Sequence, residues 1–237
     1  IWSALFEGGA DRHSLLLNLG GGVIGDMGGF CAATFKRGMS FIQIPTTLLS
    51  MVDASVGGKL GVDFNGLKNA VGLFLYPECV LIAPVFLQTL PERERNNGRA
   101  EMLKHALIDP QLDVESVFRF EEVDAKEQSA LIRASVSVKN RIVKEDPTEK
   151  GLRKVLNFGH SIGHAVETHF LSSETPLLHG EAIALGMWAE AQLSRNHFDL
   201  PDNIIDQTAQ FVQNILPYSN FQWPSTEELL PTLRQDK

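Results

Sequence analysis

The chain has 237 residues, 43% of them hydrophobic and 21% charged, with a formal net charge of −8 and a pI near 5.4. That length can bury a sizeable core, in one large domain or two smaller ones, and the acidic balance argues against a general nucleic-acid binder. No apolar run approaches the ~20 residues of a membrane span, and Cys31 and Cys79, without metal or redox spacing, read as reduced core thiols of a cytoplasmic protein.

The first eight residues, ending in Gly8, read as the last turns of a helix with a glycine stop. No initiator methionine or signal peptide precedes them, so the expectation is a fragment that begins inside a domain. Ser14–Leu19 predicts a strand running into Gly20-Gly21-Gly22-Val-Ile-Gly25-Asp26, and the small apolar stretch Met27–Phe35 a helix packed closely on a sheet. Phe41–Pro45 predicts a second strand, Thr46–Met51 a helical turn or two, and Cys79–Ala83 a third strand. Between them Val52–Phe74 is glycine-rich and polar, which predicts a loop. From Glu92 onward only helical periodicity is found, over about 92–108, 113–119, 125–144, 159–171, 179–196, 201–214 and 225–234. The expected architecture is a truncated α/β part with a Rossmann-like parallel sheet over 1–90, then an all-α domain over 91–237. Chemistry-bearing residues come from both parts, so a cleft between them is the expected site.

Gly20-Gly-Gly-Val-Ile-Gly25 fits G-x-G-x-x-G after a strand and before a helix, the arrangement that lets backbone N–H groups approach a pyrophosphate. The next strand, Phe-Ile-Gln-Ile-Pro, lacks the acidic residue such a unit normally carries, so a nucleotide cradle and a plain tight turn both remain open. Glu101 and Lys104, spaced i, i+3, read most simply as a surface ion pair worth a few tenths of a kcal/mol. His160 and His164 stand four apart on one helical face, which Asn157 and Arg153 continue toward the N-terminus, and His179 follows in Leu-Leu-His-Gly-Glu. These histidines suit Zn²⁺ with a carboxylate completing an open catalytic site; the alternative is one ligand and one capping histidine. Lys59, Lys68, Lys104, Lys139 and Arg153 read singly as solvated charges, although Lys59 and Lys68, on glycine-rich backbone, suit an anion contact.

Taken together, Gly20–Asp26, Arg37–Leu49 with Thr46 and Thr47, Val52–Lys59 with Asp53, Lys68-Asn69, Thr89–Glu94, Ala100–Lys104, Gly151–His164 and Leu177–Glu181 resemble the 3-dehydroquinate synthase family of sugar-phosphate cyclases. Its fold is shared with iron-dependent alcohol dehydrogenases, and the match runs from about residue 11 to 190. Leu60 and the Asp63–Lys68 stretch depart from the usual family pattern. The resemblance implies conversion of 3-deoxy-D-arabino-heptulosonate 7-phosphate to 3-dehydroquinate and phosphate, in the shikimate pathway. The steps are transient oxidation by NAD, elimination, reduction and aldol closure, with Zn²⁺ or Co²⁺. It implies Glu101, His160 and His179 as metal ligands, and Gly20, Gly21, Gly22, Gly25, Asp26, Thr46, Thr47 and Thr89 as NAD contacts. Lys59, Lys104, Asp53, Asn157 and His164 become catalytic groups, and Lys68 and Asn69 lie by the phosphate. Lys139 and Arg153 become the holders of the substrate carboxylate. Arg37 reaches the phosphate of a neighbouring subunit, which implies a homodimer. Cyclases whose substrates lack a carboxylate have no need of Lys139 with Arg153, so the pair favours the dehydroquinate branch. A metal-dependent polyol dehydrogenase and a non-catalytic metal-binding remnant are the competing readings.

Overall fold

The computed structural model describes residues 1–64, 67–198, 200–216 and 221–234, without the side chains of Leu67, Lys68 and Asn196. Helix α1 (Trp2–Glu7) ends at Gly8, and its Trp2 indole donates to Cys31 O at 3.1 Å, tying it to α2 (Gly22–Thr34). Strand β1 (Leu15–Gly20) pairs in parallel with β2 (Ser40–Pro45). Along β1 the side chains alternate: Leu16 and Asn18 turn toward α2, whereas Leu15, Leu17 and Leu19 are exposed on the other face.

Among the described residues, the stretch expected as loop after Val52 is largely regular structure. A π-helical turn (Ser50–Ala54) leads into an antiparallel hairpin of β3 (Lys59–Phe64) and β4 (Leu67–Phe74). Its apolar alternation, Leu60, Val62, Phe64 and Val71, Leu73, is interrupted by Gly61 and Gly72, which is why it reads as loop. Leu60 nonetheless anchors it, buried with Ala32, Phe35, Met39 and Phe41 in a small core under α2. The third strand, expected over 79–83, is only β5 (Cys79–Val80), beside β2; after Leu81–Ala83 the 3₁₀ helix Pro84–Thr89 begins at its proline. Cys79 is exposed, not a core thiol; Cys31 is buried.

The helices follow the predicted periodicity within one or two residues: α3 (Glu92–Ile108), α4 (Val114–Phe118), α5 (Ala125–Glu145), α6 (His160–Phe170), α7 (His179–Phe198), α8 (Asp202–Ile215) and α9 (Thr226–Leu233). Their main core joins Met102 and Leu103 of α3, Val138 and Ile142 of α5, Ile183 and Met187 of α7 and Phe211 of α8. It also takes in Leu48, Met51 and Val52 from the π-helical turn and the residues before it. Each such side chain, fully buried, contributes about 1.5–3 kcal/mol. The segment around the turn is therefore wedged into the helical body, carrying Asp53 with it. No helix among the described residues is long and apolar enough to cross a membrane.

One expected continuity fails. Arg153 and Asn157 do not share a helix face with His160, because Leu152–Asn157 is a 3₁₀ segment and the helical conformation is interrupted at Phe158 and Gly159, the latter at φ 79°. That left-handed conformation suits glycine, and the space is also closed, since a methyl there would overlap Met187 of α7.

Candidate active site

Helix α3 carries Glu101 and Lys104 into the interior, where they form a buried ion pair, not the surface pair their spacing suggests. Two helix starts face them. At α6, His160 donates through Nδ1 to Phe158 O at 3.2 Å, leaving Nε2 as the lone-pair nitrogen 3.7 Å from Glu101 Oε1. At α7, His179 turns Nδ1 toward Glu167 Oε2 (3.4 Å) and Nε2 toward the same Glu101 Oε1 (3.7 Å). His179 is fixed by its flanks: Gly180 N–H donates to Asn97 Oδ1 at 2.6 Å, and Leu178 N–H to Glu181 Oε2 at 2.7 Å. Arg93 grips both oxygens of Glu181, at 2.7 and 2.8 Å, so α7 begins locked onto α3.

Donors from Glu101, His160 and His179 thus lie within 4.8 Å of one another. Bonds of ~2.0–2.2 Å to a tetrahedral cation would bring such donors to about 3.4 Å apart, close to the separations found. Glu101 Oε1 is fully buried with no hydrogen-bond partner, and an acceptor of that kind is what a cation satisfies. Burial works against the Glu101 charge, but Lys104, His179 and His160 hold its carboxyl well below the usual range. Burial, helped by Lys104, pushes His160 down to about 3, so its imidazole is neutral. Burial also opposes the charge on His179, yet the carboxylates of Glu101 and Glu167 bring it up to about 9, so without metal the ring holds a proton that a bound cation would displace. The residues fit a divalent metal: one carboxylate, two oriented imidazoles and a fourth position left to a ligand.

Beside this set lies a second charged group. Lys139 Nζ of α5 sits 2.7 Å from both Oδ1 and the backbone oxygen of Asp53, and Lys104 Nζ is 3.6 Å from the same carboxylate. Lys104 faces two carboxylates, which outweigh its burial and raise its pKa; Lys139 faces one, and burial lowers it, with Lys104 acting in the same direction. His105, fully buried, has Nδ1 on Ser135 Oγ at 2.7 Å and is pushed by burial to about 3. At the rim, Glu149 pairs with Lys59 and accepts from Asn157 Nδ2 at 2.9 Å, with its own backbone at φ 58°.

The glycine turn forms a small cavity lined by Gly20, Gly21, Gly22, Gly25, Gln43 and Ser50, among others. A methyl on Gly21 would sit 3.2 Å from Thr47, and on Gly25 3.1 Å from Gln43, so the turn keeps a bare backbone face open. Thr46 N–H donates to Gly20 O at 2.9 Å and Thr47 bonds Ser50 at 2.8 Å, so both threonines abut the turn. This cradle fits the close approach of a pyrophosphate at a helix start. Asp26, one turn into α2, is raised from 3.8 to about 6, first by burial and then by Asp53.

A folded-state pKa above the unfolded one means that folding loses stability as pH rises through about 6 and is unaffected below 3.8. Asp26→Asn is therefore expected to stabilise the protein above pH 6 by about 1–2 kcal/mol after allowance for solvent screening, with the gain gone near pH 4. Denaturant midpoints across that range check it, and an unchanged midpoint at neutral pH would contradict it.

The other expected residues divide. His164 joins the histidines, its ring centroid 5.2 Å from His160 and 5.9 Å from His179. Arg153 is buried, donating to Pro147 O at 2.7 Å and Gly57 O at 3.0 Å, with its guanidinium over Phe74. Asn69 lies toward the hairpin tip, its N–H donating to Asp63 Oδ1, and Thr89 is exposed at the end of a 3₁₀ helix. The side chain of Lys68 lies outside the described residues. Arg37 is exposed at φ 69°, beyond the C-terminal end of α2 and away from the glycine turn. Sequence reasoning missed Glu149, Glu167, Arg93 and Glu181; only Glu167, seven residues after His160 and on its face, carried a spacing signal.

Fold and site together define an α/β chain with a glycine-rich turn at a helix start, joined to a helical body that gathers candidate metal donors. That architecture is similar to 2-epi-5-epi-valiolone synthase from Streptomyces hygroscopicus with NAD⁺ and Zn²⁺ bound (TM-score 0.85, 27% identity, 99% of this chain and 66% of that one). It is equally similar to 2-deoxy-scyllo-inosose synthase complexed with carbaglucose-6-phosphate, NAD⁺ and Co²⁺ (TM-score 0.84, 25% identity, 99% and 66%). Family models for the N-terminal and C-terminal parts of 3-dehydroquinate synthase match residues 1–97 and 98–237. The 3-dehydroquinate synthase of Parabacteroides distasonis is 47% identical over 240 residues, covering 100% of this chain and 68% of its own length. The chain belongs to the 3-dehydroquinate synthase family. It spans 62–68% of the length of the first three curated relatives it matches.

Proposed function

We propose that the chain performs the 3-dehydroquinate synthase reaction, releasing phosphate from 3-deoxy-D-arabino-heptulosonate 7-phosphate and closing the carbocycle. The observation that carries this is the meeting of Glu101, His160 and His179 beside two buried lysines and Asp53. When bound, NAD⁺ takes up and returns a hydride, and Zn²⁺ or Co²⁺ polarises the oxygen at the oxidised carbon.

The chain's own residues supply position and charge. Glu101, His160 and His179 hold the cation, and the glycine turn with Thr46, Thr47 and Asp26 holds the dinucleotide, to which Thr89 also belongs in this reading. Lys104, kept protonated by Glu101 and Asp53, keeps positive charge at the metal side of the substrate. Lys59 and Asn157, tethered together by Glu149, face the phosphate with Lys68, Asn69 and His164. Lys139 and Arg153 answer the substrate carboxylate; Arg153, committed to Gly57 and Pro147, does so by charge and by anchoring the turn before Lys59. Basic groups gathered in a chain of net charge −8 suit a substrate with two anionic ends.

The 13 residues of α2 put about 20 Å between the glycine turn and Arg37. In this reading Arg37 serves a second copy's phosphate site, and the working form is a homodimer. A cytoplasmic location belongs to the same reading, in keeping with free Cys31 and Cys79.

The test is phosphate release from the heptulosonate phosphate with NAD⁺ and Zn²⁺ or Co²⁺. Release that stops with EDTA and returns on adding metal is expected. No release with either metal would refute the proposal for this chain.

A further inference from the structure

We infer that Glu167 is a positioning residue for the metal: it fixes the ring orientation and tautomer of His179 and so sets the affinity of the site. The inference rests on the metal reading proposed above. His160, His164 and Glu167 follow at i, i+4 and i+7 along α6, so they project from one stripe of the helix. Glu167 is buried, and its Oε2 lies 3.4 Å from His179 Nδ1. The opposite ring nitrogen, Nε2, is the one that points at Glu101. An imidazole whose Nδ1–H is held by a carboxylate keeps its Nε2 lone pair free and becomes a better donor to a cation. His160 is oriented in the same sense by a backbone carbonyl, Phe158 O. A cation taking the place of the His179 Nε2 proton would leave the two imidazoles with matched tautomers fixed by different partners, and only the one on His179 depends on a side chain. Of the two, His179 is also the more exposed, at 27% against 14%, so it is the ring that most needs a hold.

His164, Glu167 and His179 also lie within 4.8 Å of one another and could in principle gather an ion of their own. His179 offers that group the nitrogen already turned to Glu167, so the positioning role and a second ion site exclude each other, and stoichiometry separates them.

The experiment is Zn²⁺ titration against a chromophoric chelator for the wild type, Glu167→Gln, Glu167→Asp and Glu167→Ala. Co²⁺ absorption spectra and unfolding of the metal-free forms accompany it. One ion per chain is expected, with affinity lower by about 10- to 100-fold in the Gln and Ala variants and partly recovered in the Asp variant. The Co²⁺ bands of the Gln variant are expected to shift, while its metal-free form still unfolds in one cooperative transition. A Gln variant with wild-type affinity would reduce Glu167 to packing and overturn the inference. So would two ions per chain with one lost in that variant, which would make Glu167 a ligand. A wild-type chain that took up no Zn²⁺ would overturn this inference and the metal reading together, and is distinguishable from both.

Discussion

Glu101→Ala is expected to abolish metal binding and to destabilise the fold in the same stroke. Glu101 supplies the only carboxylate among the three converging donors, and Oε1 is the atom both His160 and His179 approach. Removing it leaves two imidazoles, too few for a site of this kind, so Zn²⁺ affinity should fall by far more than the roughly 100-fold upper end of an outer-shell change. The second effect comes from Lys104, 2% exposed at its side chain, which loses its closest counter-charge and keeps only Asp53 at 3.6 Å. Breaking one side of a buried pair costs about 3–5 kcal/mol. The two effects separate in the double variant Glu101→Leu, Lys104→Met, which removes both charges at similar volume: stability should largely return and metal binding should not. Isothermal titration with Zn²⁺ and a denaturant melt decide the matter. Full zinc occupancy in Glu101→Ala would remove it from the ligand set.

Gly186→Ala is expected to be the most damaging single-methyl change in the helical body. Helices α6 and α7 cross at Gly159, Gly163 and Gly186, and this approach brings His160 and His179 to one point. A methyl at residue 186 would overlap Gly159 O and come within 2.6 Å of Gly163 N. Both are backbone atoms, so no side-chain rotation relieves the clash; one helix must move. Overpacking ordinarily costs about 1–3 kcal/mol, and with backbone on both sides we expect the upper end or beyond. Moving either helix also separates the two imidazoles, so Zn²⁺ affinity should drop with stability. A denaturant midpoint within about 0.5 kcal/mol of wild type, the range of an ordinary surface change, would show that the crossing is looser than described.

The helical half was legible because each of its amphipathic stretches repeats its apolar positions at the helical period, and nothing competes with that signal. The hairpin was not, because Gly61 and Gly72 interrupt a short alternation, and its register depends on Leu60 finding a pocket under α2 that only the fold supplies. The same reason explains the charged residues. An i, i+3 Glu–Lys pair looks alike on a surface and in a core, so Glu101 and Lys104 acquire their meaning only when α5, α6 and α7 close over α3. Spacing grouped Arg153 and Asn157 with His160, but Gly159 in the left-handed region breaks the helix between them. Glu149 was invisible, since its role depends on a turn that puts a non-glycine residue at φ 58° between Lys59 and Asn157. Family resemblance named the metal donors; the structure adds how they are held, by Phe158 O, by Glu167, and by the Arg93–Glu181 lock at the start of α7.

In the proposed reaction the metal cluster and the glycine cradle act together, and the nicotinamide is restored each cycle. The most direct measurement follows phosphate, 3-dehydroquinate and NADH together in one reaction containing the heptulosonate phosphate, NAD⁺ and Co²⁺. One phosphate and one 3-dehydroquinate per substrate consumed are expected, with no net NADH. Accumulation of NADH without phosphate release would contradict it and make the chain a dehydrogenase.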